Sequence, residues 1–125
     1  MADNITPAEP ERIEIQHVLI SFAGTGTKAR RSRAEAAELA VATLGRANAG
    51  EDFDALVREL TDDSPPGIYR LSNNGVSPAS GEYPRGRMVA AFGNVGFGLG
   101  VGDIGMADFD PRTSPYGWHI IKRLA

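Results

Sequence analysis

The sequence predicts a single α+β domain built around a small antiparallel sheet. The chain has 125 residues, of which 42% are hydrophobic, so it fits one domain with a modest core. Along the chain, apolar residues recur first at the spacing of a strand, then at that of helices, and finally at that of short strands. Residues 1–11 contain little that could be buried. We therefore expect a disordered lead-in there and one folded domain at residues 12–125.

The first half of the domain predicts one strand followed by two helices. Residues 13–19 alternate with the period of two that is typical of a strand. Ser32, with Glu35 three residues later, is a capping-box signal for the Ala/Leu-rich helix that follows. Residues 51–60 then repeat apolar side chains at the spacing of one helix face, and the two prolines after them cannot continue that helix.

The second half is richer in glycine and proline and predicts shorter elements. We expect a short strand at residues 67–71 and a surface loop at residues 72–83, which are full of Asn, Gly, Ser and Pro. A short helix over residues 87–92 would place Met88 and Phe92 on one face. Two final strands follow, and the order strand, helices, strand, helix, two strands is that of an α+β domain.

The composition narrows the possible functions. The formal net charge is −3, whereas a general nucleic-acid binder is usually basic. The chain has no cysteine, which excludes disulfides, thiolate metal ligands and a cysteine nucleophile. No apolar run approaches the ~20 residues that span a bilayer, so no membrane segment is expected. Residues 1–10 lack the basic-then-apolar layout of a secretory signal, and we expect a cytoplasmic location.

Five segments carry motifs that are weak singly but informative in this order. They are QHVLI (16–20), GEDFDAL (50–56) with TDD (61–63), RGRMVAAF (85–92), FGLGVGDI (97–104) and YGWHII (116–121). Together they resemble the parvulin-type peptidyl-prolyl cis/trans isomerases, also called rotamases. The resemblance covers about residues 13–124 and implies a four-stranded antiparallel sheet surrounded by about four helices, in the order β-α3-β-α-β2.

The resemblance also implies an activity. It is the cis/trans isomerisation of X–Pro bonds in flexible or unfolded protein segments, which assists protein folding. The alternative is a weakly active or inactive parvulin-like module that binds peptides as a chaperone. The X–Pro bond has a rotation barrier near ~18–20 kcal/mol and breaks no covalent bond on rotating, so neither a nucleophile nor a metal or cofactor is needed. An apolar cup for the proline ring beside a few fixed polar groups would suffice.

His17 and His119 are the only histidines and both fall in predicted strands. From the residues alone, two core histidines that satisfy each other, or a backbone group, explain them. The resemblance implies instead that they lie on neighbouring central strands and form a paired network under the active site. A zinc site would need a third ligand, and none has fitting spacing.

The resemblance implies two further polar active-site residues. Asp63 would be a carboxylate that faces the amide and the histidines, although a shift of one residue would give that place to Asp62. An Asp just before Ser-Pro-Pro also suits a simple turn. Ser114 lies where the resemblance implies a hydroxyl bound to a histidine, yet next to Pro115 it also suits a turn.

Three residues are expected to bind the proline of the substrate. Met88 and Phe92 would ordinarily be core residues, but the resemblance places them on the floor of the proline pocket, with Tyr116 as a wall. A further pocket-lining leucine of the family pattern has no clear counterpart in residues 68–83, where Ile68 and Leu71 are the candidates.

A basic run follows the first strand and bears on the partners of the domain. The resemblance implies that such a loop can favour an acidic or phosphorylated residue before proline; the simpler interpretation is a solvated loop and helix start. We expect proline-containing polypeptides as partners, a monomer, and neither nucleic acid nor membrane. The basic residues are Lys28, Arg30, Arg31 and Arg33.

Overall fold

The computed structural model of the chain describes residues 8–125, so most of the predicted lead-in lies outside the described residues. The last residues of this lead-in contact the domain at Asn73. The side-chain amide of Asn73 donates to the Pro10 carbonyl at 2.9 Å, and its backbone N–H donates to the Glu11 carbonyl at 2.8 Å. The contacts of the domain therefore begin before residue 12.

Nine helices and strands follow one another in the described part of the chain. In chain order they are β1 (Arg12–Ile20), α1 (Arg33–Asn48), α2 (Phe53–Leu60), β2 (Ile68–Ser72), β3 (Tyr83–Pro84), a 3-10 helix (Arg85–Arg87), α3 (Ala90–Gly96), β4 (Ile104–Ala107) and β5 (Trp118–Arg123). None of the helices described is both long and apolar enough to cross a bilayer.

The sheet has the strand order β3-β2-β1-β5-β4, with β1 at its centre. The predicted α+β class is confirmed, but the described residues form five strands rather than four. The additional strand β3 has only two residues and pairs parallel with β2, so the sheet is not wholly antiparallel. Two residues are too few to show a period of two, which is why the sequence pattern gave no sign of this strand.

The two helices after β1 begin with side-chain caps. The Ser32 hydroxyl accepts from the Glu35 backbone N–H at 3.1 Å while the Glu35 carboxylate accepts from the Ser32 N–H at 2.8 Å. This confirms the predicted capping box of α1. At α2, the Asp52 carboxylate accepts from the Ala55 N–H at 2.9 Å and sets the start at Phe53.

The predicted helix at residues 87–92 is wrong in its position. Residues 85–87 form a 3-10 turn, Met88 is extended (φ −90°, ψ 161°), and α3 begins only at Ala90. Met88 and Phe92 therefore do not share a helix face, although both reach the same cavity.

The alternation of β1 separates two cores on the two faces of the sheet. Val18 and Ile20 lie in the core under α1 and α2, while Ile13 and Ile15 lie in the core beside α3. Strand β5 divides in the same way, with Ile120 in the first core and the next residue in the second. Odd-numbered residues of both strands therefore face the α3 side, where His17 and His119 lie.

Candidate active site

Most of the predicted site residues converge on one cavity. The cavity has a volume of about 280 Å³ and a mostly apolar lining. Ligand pockets usually measure ~300–1,000 Å³, so this one suits a small ring and a short length of chain. Six of the seven predicted site residues line it: His17, Asp63, Met88, Phe92, Tyr116 and His119.

The two histidines form the floor of the cavity. His17 lies on β1 and His119 on the neighbouring antiparallel strand β5, and both side chains are buried. Their Nδ1 atoms are 3.0 Å apart and their rings stack with centroids 5.1 Å apart. The predicted pairing on neighbouring central strands is therefore what the structure has.

Two glycines allow the chain to approach β1 on either side of His17. Gly117 has φ +139°, and a Cβ there would lie 2.2 Å from the Ile20 carbonyl oxygen. Gly67 has φ +65°, and a Cβ there would lie 2.8 Å from the carbonyl oxygen of His17. Because no other residue fits such contacts, these glycines fix where β5 and the segment before β2 lie against the histidine strand.

Asp63, rather than Asp62, is the carboxylate that contacts His17. Its Oδ2 lies 3.2 Å from Nε2 of His17 and also accepts from the Tyr69 hydroxyl at 3.2 Å. Asp62 points to the loop after β1, where its carboxylate accepts from the Ser21 N–H at 2.8 Å and from Arg31 at 2.6 Å. Both residues line the cavity, but they have different partners.

The hydrogen bonds order the protons of this group. The bond from His17, with further bonds from the Ser64 backbone and Tyr69, lowers the pKa of Asp63 to about 2, against the opposing effect of its partial burial. An ionised carboxylate only accepts, so Nε2 of His17 carries a proton. When His17 is neutral, its Nδ1 is then an acceptor, and Nδ1 of His119 must donate to it.

The remaining nitrogen of His119 is left without a proton. Nε2 of His119 is buried and has no hydrogen-bond partner among the described residues. Burial, helped by the nearby His17 and opposed by Asp63, lowers the pKa of His119 to about 3. The histidine is therefore neutral at physiological pH. It acts as a fixed donor to His17 rather than as an acid or base.

The apolar wall of the cavity centres on Phe92 at the start of α3. Its ring meets the His17 ring edge-on with centroids 4.9 Å apart, and the His119 ring at 5.4 Å. Met88 and Val89, just before α3, complete this wall. Phe92 is buried and Met88 is half-buried, so soft and aromatic surface faces the opening.

Arg85 ties this wall to the rest of the domain. Its guanidinium donates to the carboxylate of Glu9 at 2.7 Å and to the side-chain oxygen of Asn94 at 2.9 Å, and it lies over the Phe97 ring at 4.9 Å. The Arg85 carbonyl also accepts from the Met88 N–H at 3.1 Å. The segment before β1, helix α3 and Met88 are thus held at one point.

Ser114 is the predicted site residue that does not line the cavity. Its hydroxyl is buried and donates to the Gly117 carbonyl at 2.6 Å. Its backbone N–H and C=O pair with Asp110 in an isolated bridge. The structure therefore brings the hydroxyl to neither histidine and gives Ser114 the contacts of a turn residue. Nearby Tyr116 is 46% exposed and forms the rim of the opening.

Tyr69 is a cavity residue that the sequence interpretation missed. Of the two candidates from residues 68–83, Ile68 is exposed and Leu71 is fully buried in the core beside α3, and neither lines the cavity. Tyr69 lines it and binds Asp63. Strand alternation was the available signal, because Tyr69 is two residues from the buried Leu71 and so faces the same side.

The basic run lies beside the cavity but is partly occupied. Arg31 binds Asp62 and the Ser21 carbonyl, and the Arg33 guanidinium lies over the Phe109 ring at 4.7 Å. Lys28 and Arg30 are exposed. Three further residues that were not singled out as site residues also line the cavity: Leu19, Thr27 and Val89.

No group of three or more His, Asp or Glu side chains that could hold a metal ion occurs within residues 8–125. The cavity offers an apolar cup beside one ionised carboxylate and a hydrogen-bonded histidine pair.

The family model of the PPIC-type PPIase domain matches residues 4–124. The chain belongs to this family. The parvulin-type resemblance of its motifs is thereby confirmed. Parvulin domains bind proline-containing peptides.

Known relatives agree with this assignment. The foldase protein PrsA of Caldanaerobacter subterraneus subsp. tengcongensis is 38% identical over 73 residues, which are 58% of this chain and 20% of PrsA. The chain thus matches about a fifth of that relative's length.

Two solved structures share the fold. The solution structure of TbPIN1 gives a TM-score of 0.68 at 22% identity, over 92% of this chain and 98% of TbPIN1. NmPin, the parvuline of Nitrosopumilus maritimus, gives 0.53 at 27% identity, over 96% of this chain and all of NmPin (100%). The parvulin-like α+β fold is therefore confirmed.

Proposed function

We propose that this domain catalyses cis/trans isomerisation of X–Pro bonds in flexible or unfolded protein segments and so assists their folding. The observation that supports the proposal most directly is the cavity itself. An apolar wall at Met88 and Phe92 faces an ionised carboxylate, Asp63, that is fixed by His17. An apolar seat for the proline ring beside a fixed polar group suits rotation about a prolyl amide.

The apolar wall would hold the pyrrolidine ring by excluding water from it. A ring seated against Phe92 loses contact with solvent, and its position fixes the amide nitrogen near the polar side of the cavity. Tyr116 at the rim would contact the flanking chain. Binding of this kind orients the peptide but does not by itself lower the barrier.

The carboxylate of Asp63 would lower the barrier to rotation about the X–Pro bond. A planar amide carries partial negative charge on oxygen through resonance, and a twisted amide loses it. A fixed anion beside that oxygen destabilises the planar forms more than the twisted one, so the rotation is faster. His17 and His119 hold Asp63 in place and transfer no proton.

The test is a protease-coupled isomerisation assay on an X–Pro peptide, with folding of each variant checked by circular dichroism. Wild type should accelerate isomerisation, and Asp63→Asn should lower kcat by about tenfold, or ~1.4 kcal/mol of barrier, with little change in KM. Asp103→Asn, an exposed carboxylate away from the cavity, is the matched control and should leave both constants unchanged.

The same assay separates the alternative function. If wild type binds the peptide in a separate affinity measurement but does not accelerate its isomerisation, the domain is a peptide-binding module of the chaperone type. That result would contradict the catalytic proposal.

A preference for an acidic or phosphorylated residue before proline is the finer part of the proposal. It is supported by the exposed Lys28 and Arg30 on the loop that brings Thr27 to the cavity. Arg31 contributes less, because Asp62 already neutralises it. Peptides with Glu, Ala or phosphoserine before proline should differ in kcat/KM, and equal turnover would contradict the preference. A monomeric state and a cytoplasmic location stay predictions.

A further inference from the structure

An aromatic row runs from the proposed proline cavity to the edge of the sheet. The Tyr69 ring lies 5.8 Å from Phe92 inside the cavity and 6.0 Å from Tyr83 outside it, edge-on in both cases. Tyr69 is half-buried and anchored through its hydroxyl to Asp63. Tyr83 is 51% exposed and does not line the cavity. The row thus leaves a large aromatic surface open to solvent beside the opening.

Tyr83 is presented by a braced loop rather than a loose one. It lies in β3, in register with Leu71 of β2, so its side chain shares the face of the sheet that carries the cavity. The preceding residue, Glu82, forms an ion pair with Arg12 and accepts from the Ala79 N–H at 2.8 Å. Arg12 also donates to the Ser77 carbonyl at 3.3 Å. A ring held in place in this way loses little conformational entropy on contacting a ligand.

The distances decide which part of a peptide reaches this surface. A proline seated on Phe92 is two ring-to-ring steps, of 5.8 Å and 6.0 Å, from Tyr83. An extended chain advances about 3.3 Å per residue and returns to the same face every second residue. Two residues advance the chain by about 6.6 Å, just past Tyr69, so a large side chain two positions from the proline can reach the notch between Tyr69 and Tyr83.

We propose that Tyr83, together with Tyr69, forms a subsite for an aromatic or large aliphatic side chain two residues from the proline of a bound peptide. The subsite rests on the proposed function, since it is continuous with the proline cavity. It gives the long loop at residues 73–84 a role in selecting substrates. It also makes the preferred substrates unfolded segments in which an apolar residue lies close to a proline.

The subsite is tested with peptides that carry Phe, Leu or Ala two residues before or two residues after the proline. For wild type, kcat/KM should be about three- to tenfold higher with Phe than with Ala at one of these positions, the size expected of an added aromatic contact. Tyr83→Ala should remove this difference, mainly through KM, and change the Ala peptide less than about twofold. Tyr83→Phe should retain it.

Val101→Ala is the matched control, because Val101 is another exposed apolar residue outside the cavity and should not affect the Phe-to-Ala ratio. The proposal is overturned if Tyr83→Ala changes both peptides by the same factor, or if wild type does not distinguish them. If wild type accelerates no peptide, the catalytic proposal fails on its own. The subsite is then judged by fluorescence-polarisation affinities for the same labelled peptides, where the same ratio must appear and be lost in Tyr83→Ala.

Discussion

The two faces of strands β1 and β5 have different roles in this molecule. On the face under α1 and α2, β1 and β5 contribute Val18, Ile20 and Ile120 to a closed apolar core. On the face beside α3, the same strands contribute His17 and His119, whose buried polar atoms lie at an open cavity. Adjacent residues such as His119 and Ile120 are therefore both buried but differ in what they do.

This difference shows how a small domain combines stability with a polar site. Because successive residues of a strand point to opposite faces, the two histidines place no polar atoms in the core under α1 and α2. Substitutions of neighbouring residues on the two faces should therefore have effects of different kinds.

The largest effect on stability is expected at Ile120. Ile120→Ala leaves a cavity in a fully buried core and should lower the free energy of unfolding by about 2–5 kcal/mol. The kcat/KM of the molecules that remain folded should stay near the wild-type value, because the side chain points away from the cavity. Urea unfolding and the peptide assay measure the two quantities, and a specific loss of activity would break the separation of the faces.

A loss of activity comparable to that of Asp63→Asn is expected at His119. His119→Ala removes the donor to His17 and should lower kcat/KM by about tenfold or more, or ~1.4 kcal/mol. His119→Asn has an amide N–H that can replace the Nδ1 donor, so it should recover part of the loss. Equal activity in the two variants, with both folded, would contradict the proton arrangement that we derive for the pair.

The pH dependence of stability offers a test of the buried neutral histidine. The pKa of His119 is about 3 in the folded protein and near its usual 6.5 when unfolded, so below pH 6.5 the unfolded chain binds more protons. The stabilisation is thus complete above pH 6.5 and is lost as pH falls toward 3, by about 2 kcal/mol between pH 7 and pH 5.

Urea unfolding at pH 7, 6 and 5 measures this loss, and His119→Asn is the control. The variant should lose less stability over the same interval because it lacks the titrating group. Asp63 titrates in a lower window. Its pKa is lowered to about 2, so its contribution is present above its usual 3.8 and disappears only as pH falls through 2. Identical pH profiles for the two proteins would contradict the burial of a neutral His119.

The features that the sequence predicts well are those set by local or periodic patterns. The strand at residues 13–19 follows from its alternation, and the Ser32–Glu35 cap from a four-residue signal. The meeting of His17 and His119 is implied by the family resemblance and not by periodicity, because residues on both faces of β1 and β5 are buried. Asp62 and Asp63 could not be separated from sequence, since a turn that follows a helix has no period to orient either side chain.

The features that the sequence misses depend on contacts between distant segments. The Ser114 hydroxyl donates to the Gly117 carbonyl and not to a histidine, and this partner is set by the path of the turn. The break between the 3-10 helix and α3 at Met88 has no proline or glycine to signal it at that residue. The orientation of Tyr69 toward the cavity can be inferred only once Leu71 is known to be buried.

The smallest effect is expected at Arg85, which braces the open face from outside the cavity. Arg85→Lys keeps the charge but loses the planar fork that reaches Glu9 and Asn94 while stacking on Phe97. KM should rise about two- to threefold with kcat unchanged, because the wall at Met88 loosens while the histidine floor stays fixed. Arg87→Lys, at an exposed neighbouring arginine, is the matched control and should change neither constant. A fall in kcat at constant KM would mean that Arg85 acts on the histidines rather than on the wall, and the separation between floor and wall would then be wrong.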